Sequence, residues 1–203
     1  MVIPSWILGA VKEAAMNILY PLSVYAAVQR HLGKPLDFPG DIIAWDKEQL
    51  ESTAMMNSYF SEWVVLTDGT SNESLNIVDD YRFNWGRFWP VLARWYGLEW
   101  SPPAVDAHYT DFEVPLNPRG YGPKGKLRFT FNLIEWASRP ETQNAWAEIA
   151  AQNGITHSPF DDPERVWTPA DVARTITNTH NEKSPDLSYG DWFRLFFIVR
   201  RST

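Results

Sequence analysis

Apolar residues recur at three-to-four spacing through most of the chain and in short unbroken runs elsewhere, so the pattern predicts a mainly helical protein with a few short strands. The run Pro4-Ser5-Trp6-Ile7-Leu8-Gly9 predicts the end of a strand. A helix is predicted from about 13 to 31, stopped by Gly33 and Pro35, with Met16, Tyr20, Val24 and Ala27 on one stripe facing a core or a cavity. A second helix is predicted over 47–66, with Leu50, Ala54, Met55, Tyr59, Trp63 and Leu66 near its inner face and the turn Thr67-Asp68-Gly69 at its end. Residues 74–78 read as a short strand. An amphipathic helix follows over 83–96, closed by Gly97, in which Pro90 must fall in the first turn or kink the axis.

Leu98-Glu99-Trp100 reads as one more strand before Pro102 and Pro103. The stretch 101–126 is rich in Pro and Gly with few periodic apolar positions, which predicts a long surface loop or lid inside one domain spanning 1–203. Three further helices are predicted: 131–152, 168–180 with Thr168 as N-cap and Pro169 at its first position, and 188–200.

Composition adds that the chain can build a core: 44% of residues are hydrophobic and 15% aromatic, including 11 Trp. Cysteine is absent, which removes disulfides, thiolate nucleophiles and Cys-ligated zinc and gives no support to an oxidising compartment. The start lacks a basic region and a long apolar run, so no signal peptide is expected. No run reaches the roughly 18 apolar residues of a membrane span. The expected location is the cytoplasm, with no membrane partner. A net charge of −7 without a basic cluster disfavours nucleic acid as well, because phosphate neutralisation supplies most of that affinity.

Candidate motifs mostly dissolve on inspection. Gly120-Tyr121-Gly122-Pro123-Lys124-Gly125 has the spacing of a dinucleotide loop, but Leu116-Asn117-Pro118-Arg119 precedes it where a buried strand is needed, and Pro123 removes an N–H donor. His31, His108, His157 and His180 are far apart in sequence and form no zinc-helix pattern, so no metal is expected. No Gly-x-Ser-x-Gly elbow is present. Asp79-Asp80 and Asp161-Asp162 read as a strand exit and a turn.

Several stretches together resemble one family. Pro4-Ser5-Trp6-Ile7-Leu8-Gly9, Met16-Asn17, Leu22-Ser23-Val24-Tyr25-Ala26-Ala27 and His31-Leu32-Gly33-Lys34-Pro35-Leu36 are similar, in order and spacing, to the progesterone-5β-reductase and iridoid-synthase-like branch of the extended short-chain dehydrogenases. Leu75-Asn76-Ile77-Val78, Phe83-Asn84-Trp85, Phe88-Trp89-Pro90-Val91-Leu92, Trp146-Ala147-Glu148-Ile149 and Gly154-Ile155 continue the resemblance. It implies the C-terminal half of such an enzyme: a truncated α/β remnant of the Rossmann sheet with its helical substrate-binding cap. The family's cofactor loop and Tyr-x-x-x-Lys pair would precede Met1, and no tyrosine here has lysine four residues later.

By that resemblance Met16 and Asn17 line the substrate, with Trp6, Tyr20, Met55, Met56 and Tyr59 facing the same cavity and Trp192 and Phe193 closing it. Lys12, Asn17 and Tyr20 are the expected electrophilic donors, since each offers a proton to an oxygen gaining negative charge. A retained pocket without a nicotinamide half implies a cofactor-independent cyclase or isomerase acting on a hydrophobic terpenoid or polyketide, for instance by a pericyclic, Diels–Alder-type cyclisation. The alternatives are a fragment of an NADPH-dependent enone reductase and a non-catalytic carrier of hydrophobic ligands. A homodimer is expected to cover the open edge of the shortened sheet.

Overall fold

The computed structural model describes residues 1–9, 18–79, 81–114, 125–163, 165–167 and 176–177. Their elements run β1 (Val2–Pro4), β2 (Trp6–Leu8), α1 (Leu19–His31), α2 (Ile42–Asp46), β3 (Gln49–Thr53), α3 (Ala54–Leu66), β4 (Leu75–Ile77), β5 (Arg82–Phe83), α4 (Trp85–Tyr96), β6 (Thr110–Val114), β7 (Gly125–Phe129), α5 (Leu133–Ser138), α6 (Pro140–Asn153) and β8 (Ile176–Thr177). The fold is mixed α/β with small sheets. The N-terminal segment pairs in parallel twice, β1 with β4 and β2 with β3, and β5 joins β3 antiparallel. A separate antiparallel sheet has the order β6-β7-β8.

Local chemistry explains the helix boundaries. Asn84 caps α4 by accepting from the Arg87 amide at 2.9 Å, and Gly97 ends it at φ 63°, where a Cβ would be strained. Pro90 lies in the second turn of α4, where its missing N–H leaves the Gly86 carbonyl without the usual helical donor. Gly86 has its own reason: a Cβ there would stand 2.7 Å from the Trp45 indole nitrogen.

An aromatic core joins α1, α4 and α5. Trp89 is fully buried, meets Phe38 edge-on at 5.0 Å and donates its indole N–H to the Leu36 carbonyl at 2.8 Å. Tyr25 meets Trp136 edge-on at 4.9 Å and donates its hydroxyl to the Asp37 carbonyl at 3.0 Å. Such paired rings supply area burial and satisfy their own polar ends. No helix among the described residues is long and apolar enough to cross a membrane.

The structure corrects the sequence reading at several elements. The helix predicted over 47–66 is a strand, β3, followed by α3. Thr53 forces the change by adopting extended backbone and capping α3, its Oγ1 accepting from the Met56 amide at 3.2 Å. Leu98-Glu99-Trp100 is irregular rather than a strand, although the Glu99 carbonyl accepts from the Leu36 amide at 2.8 Å. The loop predicted over 101–126 contains β6 and the start of β7, paired through Asp111 and Arg128 as well as backbone. Residues 131–152 form two helices, because Arg139 takes extended backbone before Pro140 opens α6. Of the helix predicted over 168–180 only Ile176 and Thr177 are described, and they form β8 paired with β7; the rest lies outside the described residues. The helix predicted over 188–200 lies outside the described residues.

Candidate functional site

The parallel strands β2 and β3 bring Trp6 directly opposite Glu51, so the indole and the carboxyl share one face of the sheet. Glu51 is 5% exposed, and its Oε2 finds no hydrogen-bond partner among the described residues. Burial pushes its carboxyl from the ordinary value near 4.5 up to about 8, because the ionised form would lose its water. A carboxyl held near neutrality can both give and take a proton under ordinary conditions, which is the property general acid–base chemistry requires.

Around Glu51 the polar backbone is well tied down. Its carbonyl accepts from the Asp79 amide at 2.9 Å, and Asp79 Oδ1 accepts from the Thr53 amide at 3.1 Å. Asn57 donates to Ser52 Oγ at 2.9 Å and to the Thr53 carbonyl at 2.8 Å. These bonds fix the junction of β3 and α3, so the Glu51 backbone is placed rigidly. Asp79 thus serves as a bracing group at the strand exit.

Tyr20, on the first turn of α1, stacks on the His157 imidazole with ring centroids 6.0 Å apart and an interplanar angle of 28°. Burial, and after it the negative charge of Asp161, raises its phenol above the usual range. The phenol therefore keeps its proton near neutrality, which suits a hydrogen-bond donor and not a base.

The remaining residues singled out from sequence divide three ways. Trp6 and Tyr20 are partly buried and pack against the aromatic core. Met55, Met56 and Tyr59, expected to face a cavity, stand outward on α3 at 68%, 42% and 64% exposure. The helical spacing held over Ala54–Leu66, but these three side chains are exposed where a cavity-facing position was expected. Lys12, Met16, Asn17, Trp192 and Phe193 lie outside the described residues, as does most of the Gly120–Gly125 motif.

Glu51 was missed because residues 47–66 were read as one helix, in which an isolated acid is ordinarily a solvated one. The signal that could have found it is the run Gln49-Leu50-Glu51-Ser52-Thr53 ahead of an N-capping threonine, where strand alternation sets Glu51 beside a neighbour's side chain.

A depression of about 200 Å³ lies between the end of α1 and the start of α6, lined in part by Tyr25, Gln29, Asp37, Trp136, Arg139 and Thr142. That volume falls below the roughly 300–1,000 Å³ of pockets for drug-sized ligands. Of the candidate site residues that are described, Trp6, Tyr20, Met55, Met56 and Tyr59, none lines it, although Tyr25, Leu32, Lys34 and Pro35 of the family-like stretches do. Among the described residues no group of His, Asp and Glu is arranged to hold a metal ion.

Short parallel strand pairs flanked by helices make this a mixed α/β protein compatible with a Rossmann-like fold. A 3-oxo-Δ(4,5)-steroid 5-beta-reductase of Arabidopsis thaliana is 34% identical over 187 residues, covering 92% of this chain and 42% of the relative. An (S)-8-oxocitronellyl enol synthase of Nepeta cataria is 35% identical over 164 residues, covering 81% and 36%. Another enol synthase of that name, from Camptotheca acuminata, is 28% identical over 169 residues, covering 83% and 37%. No family model matches the chain. The chain's homologues are thus progesterone-5β-reductase and iridoid-synthase-like enzymes, which match 81–92% of its length. It spans 36–42% of the length of these three relatives.

Proposed function

We propose that the chain works in the cytoplasm as a cofactor-independent, non-redox isomerase or cyclase on a hydrophobic terpenoid or polyketide that carries a carbonyl group. The observation that carries this reading is Glu51, a buried carboxyl raised to about 8 beside Trp6. Isomerising an oxo compound requires a proton to leave the carbon beside the carbonyl, an electron pair to move into an enolate, and a proton to return at another carbon. Glu51 is assigned both transfers, since a pKa near the working pH makes both of its forms available. The Tyr20 phenol, with Lys12 and Asn17, donates to the oxygen as charge builds there. Trp6, Met16, Trp192 and Phe193 hold the apolar body of the substrate. The relatives' names support the substrate class, because a 3-oxo steroid and an 8-oxocitronellyl enol are both hydrophobic and oxygenated at a carbonyl or its enol.

The test is turnover of a panel of terpenoid enals and steroid enones by the purified chain without nucleotide. Glu51→Gln should lower the rate about 100- to 10,000-fold, and Tyr20→Phe and Asn17→Ala about 10- to 1,000-fold each. Wild-type rates in folded variants would remove these roles.

A second reading, part of an NADPH-dependent enone reductase, is favoured by the steroid 5-beta-reductase relative. The chain spans 42% of that relative's length, and the described residues make no nucleotide-binding loop. No step is therefore routed through that cofactor.

A further inference from the structure

We infer that the depression between α1 and α6 binds a small zwitterion, an α-amino acid with an aliphatic side chain such as leucine, at a site separate from Glu51. The space is about 200 Å³ and is lined by Asp37 and Arg139, charges of opposite sign that enter no ion pair among the described residues. Lys34 also lines it, but Glu141 neutralises that ammonium through contacts of 2.8 and 2.9 Å. Asp37 and Arg139 are therefore the charges that a ligand meets.

Different elements carry the two charges. Asp37 lies on the segment after α1, which the helix holds in place: the Tyr25 hydroxyl donates to the Asp37 carbonyl at 3.0 Å, and the Gln29 amide donates to the Pro35 carbonyl at 2.7 Å. Gln29 is only 6% exposed, and with its nitrogen committed to Pro35 its side-chain oxygen is left as an acceptor on this wall. A carboxylate with an amide oxygen suits an ammonium group, which brings several donors. From the other wall, Arg139 stands at the start of α6, a helix without a side-chain cap, so its first amides meet no side-chain acceptor. A guanidinium at a helix N-terminus suits a carboxylate, through paired hydrogen bonds and the helix dipole.

Size narrows the class. A cavity of roughly 150 Å³ takes benzene, with its six-carbon ring, so about 200 Å³ suits a ligand of the size of valine or leucine. The rings of Tyr25, Phe131 and Trp136 offer apolar surface to its side chain. A plain carboxylate would leave Asp37 unanswered and a plain amine would leave Arg139 unanswered, whereas an α-amino acid brings both charges on one carbon. Desolvation raises the Asp37 carboxyl above its ordinary range, and a bound ammonium group opposes that rise.

Calorimetric titration and a thermal melt of the purified chain with L-leucine test the site. Leucine should bind with a Kd of about 1 mM or tighter and raise the Tm as it saturates. Isocaproate, which lacks the ammonium group, and isoamylamine, which lacks the carboxylate, should each bind at least about tenfold more weakly. Asp37→Asn should erase the preference for leucine over isocaproate, and Arg139→Gln the preference over isoamylamine. Both residues are exposed, so the far-ultraviolet spectrum should be unchanged in either variant. No binding of leucine at about 20 mM, equal affinity for the two analogues and leucine, or preferences indifferent to both substitutions would each overturn the inference.

Discussion

Helices α3 and α4 are of nearly equal length and are capped in the same way, yet they meet opposite fates. Asn84 caps α4 and Thr53 caps α3, each accepting from the amide three residues on. In α4 the residues Trp85, Trp89, Leu92 and Ala93 are buried in the aromatic core. In α3 nothing is buried, although it is the more apolar helix of the two. Apolar content alone therefore does not decide which helix lies inside. What decides is the neighbour: α4 faces Phe38, Tyr25 and Trp45, whereas the stripe of α3 points away from β2 and β3, the strands that hold the helix. The difference separates residues that make the fold from residues that the fold displays.

The comparison breaks most sharply at Trp89 against Trp63. Trp89→Ala removes a fully buried ring, its edge-on contact with Phe38 and its bond to the Leu36 carbonyl, and should cost about 3–5 kcal/mol in a urea melt. Trp63→Ala, at a half-exposed ring, should change stability by less than about 1 kcal/mol. Equal losses at the two positions would show that α3 is covered within one chain.

Beside α3, Glu51 should make stability depend on pH. Its folded value is raised, so between about 4.5 and about 8 the folded state holds a proton that the unfolded state has released. Stability from this group is full below about 4.5 and falls as pH rises to about 8, by roughly 2–4 kcal/mol. Glu51→Gln should flatten that slope and leave the variant more stable than wild type at pH 8. A parallel pH profile in both proteins would place Glu51 in contact with water or with a counter-charge.

Smaller effects sharpen the match between the helix ends. Gly97→Ala should cost about 1–2 kcal/mol, since it sets a side chain at φ 63° with no clash to relieve. Asn84→Ala and Thr53→Ala should each cost about 1 kcal/mol. A much larger loss for Thr53 would mean that the cap also secures the β3–α3 junction.

Sequence period alone located α1, α4, β4 and the helical part of α3, because each carries an unbroken apolar spacing and a clear stop. It failed where tertiary pairing outweighs local pattern. Gln49–Thr53 is a strand because β2 lies on one side and β5 on the other, and neither neighbour is visible in a local window. Thr110–Val114 is a strand because β7 returns beside it. Trp6 and Tyr20, named from the family resemblance, are partly buried against the core. Glu51 was hidden by the helix reading, since the cause of its raised pKa is burial against a partner strand. The facing of Met55, Met56 and Tyr59 was likewise beyond a period count, which gives the stripe but not what covers it.

The measurement closest to the functional claim is the mass of the product formed from a terpenoid enal or steroid enone, followed with NADPH supplied and with it withheld. A product of unchanged mass, formed equally in both and lost in Glu51→Gln, is the expected result. A product two hydrogens heavier, formed only when NADPH is present, would contradict it.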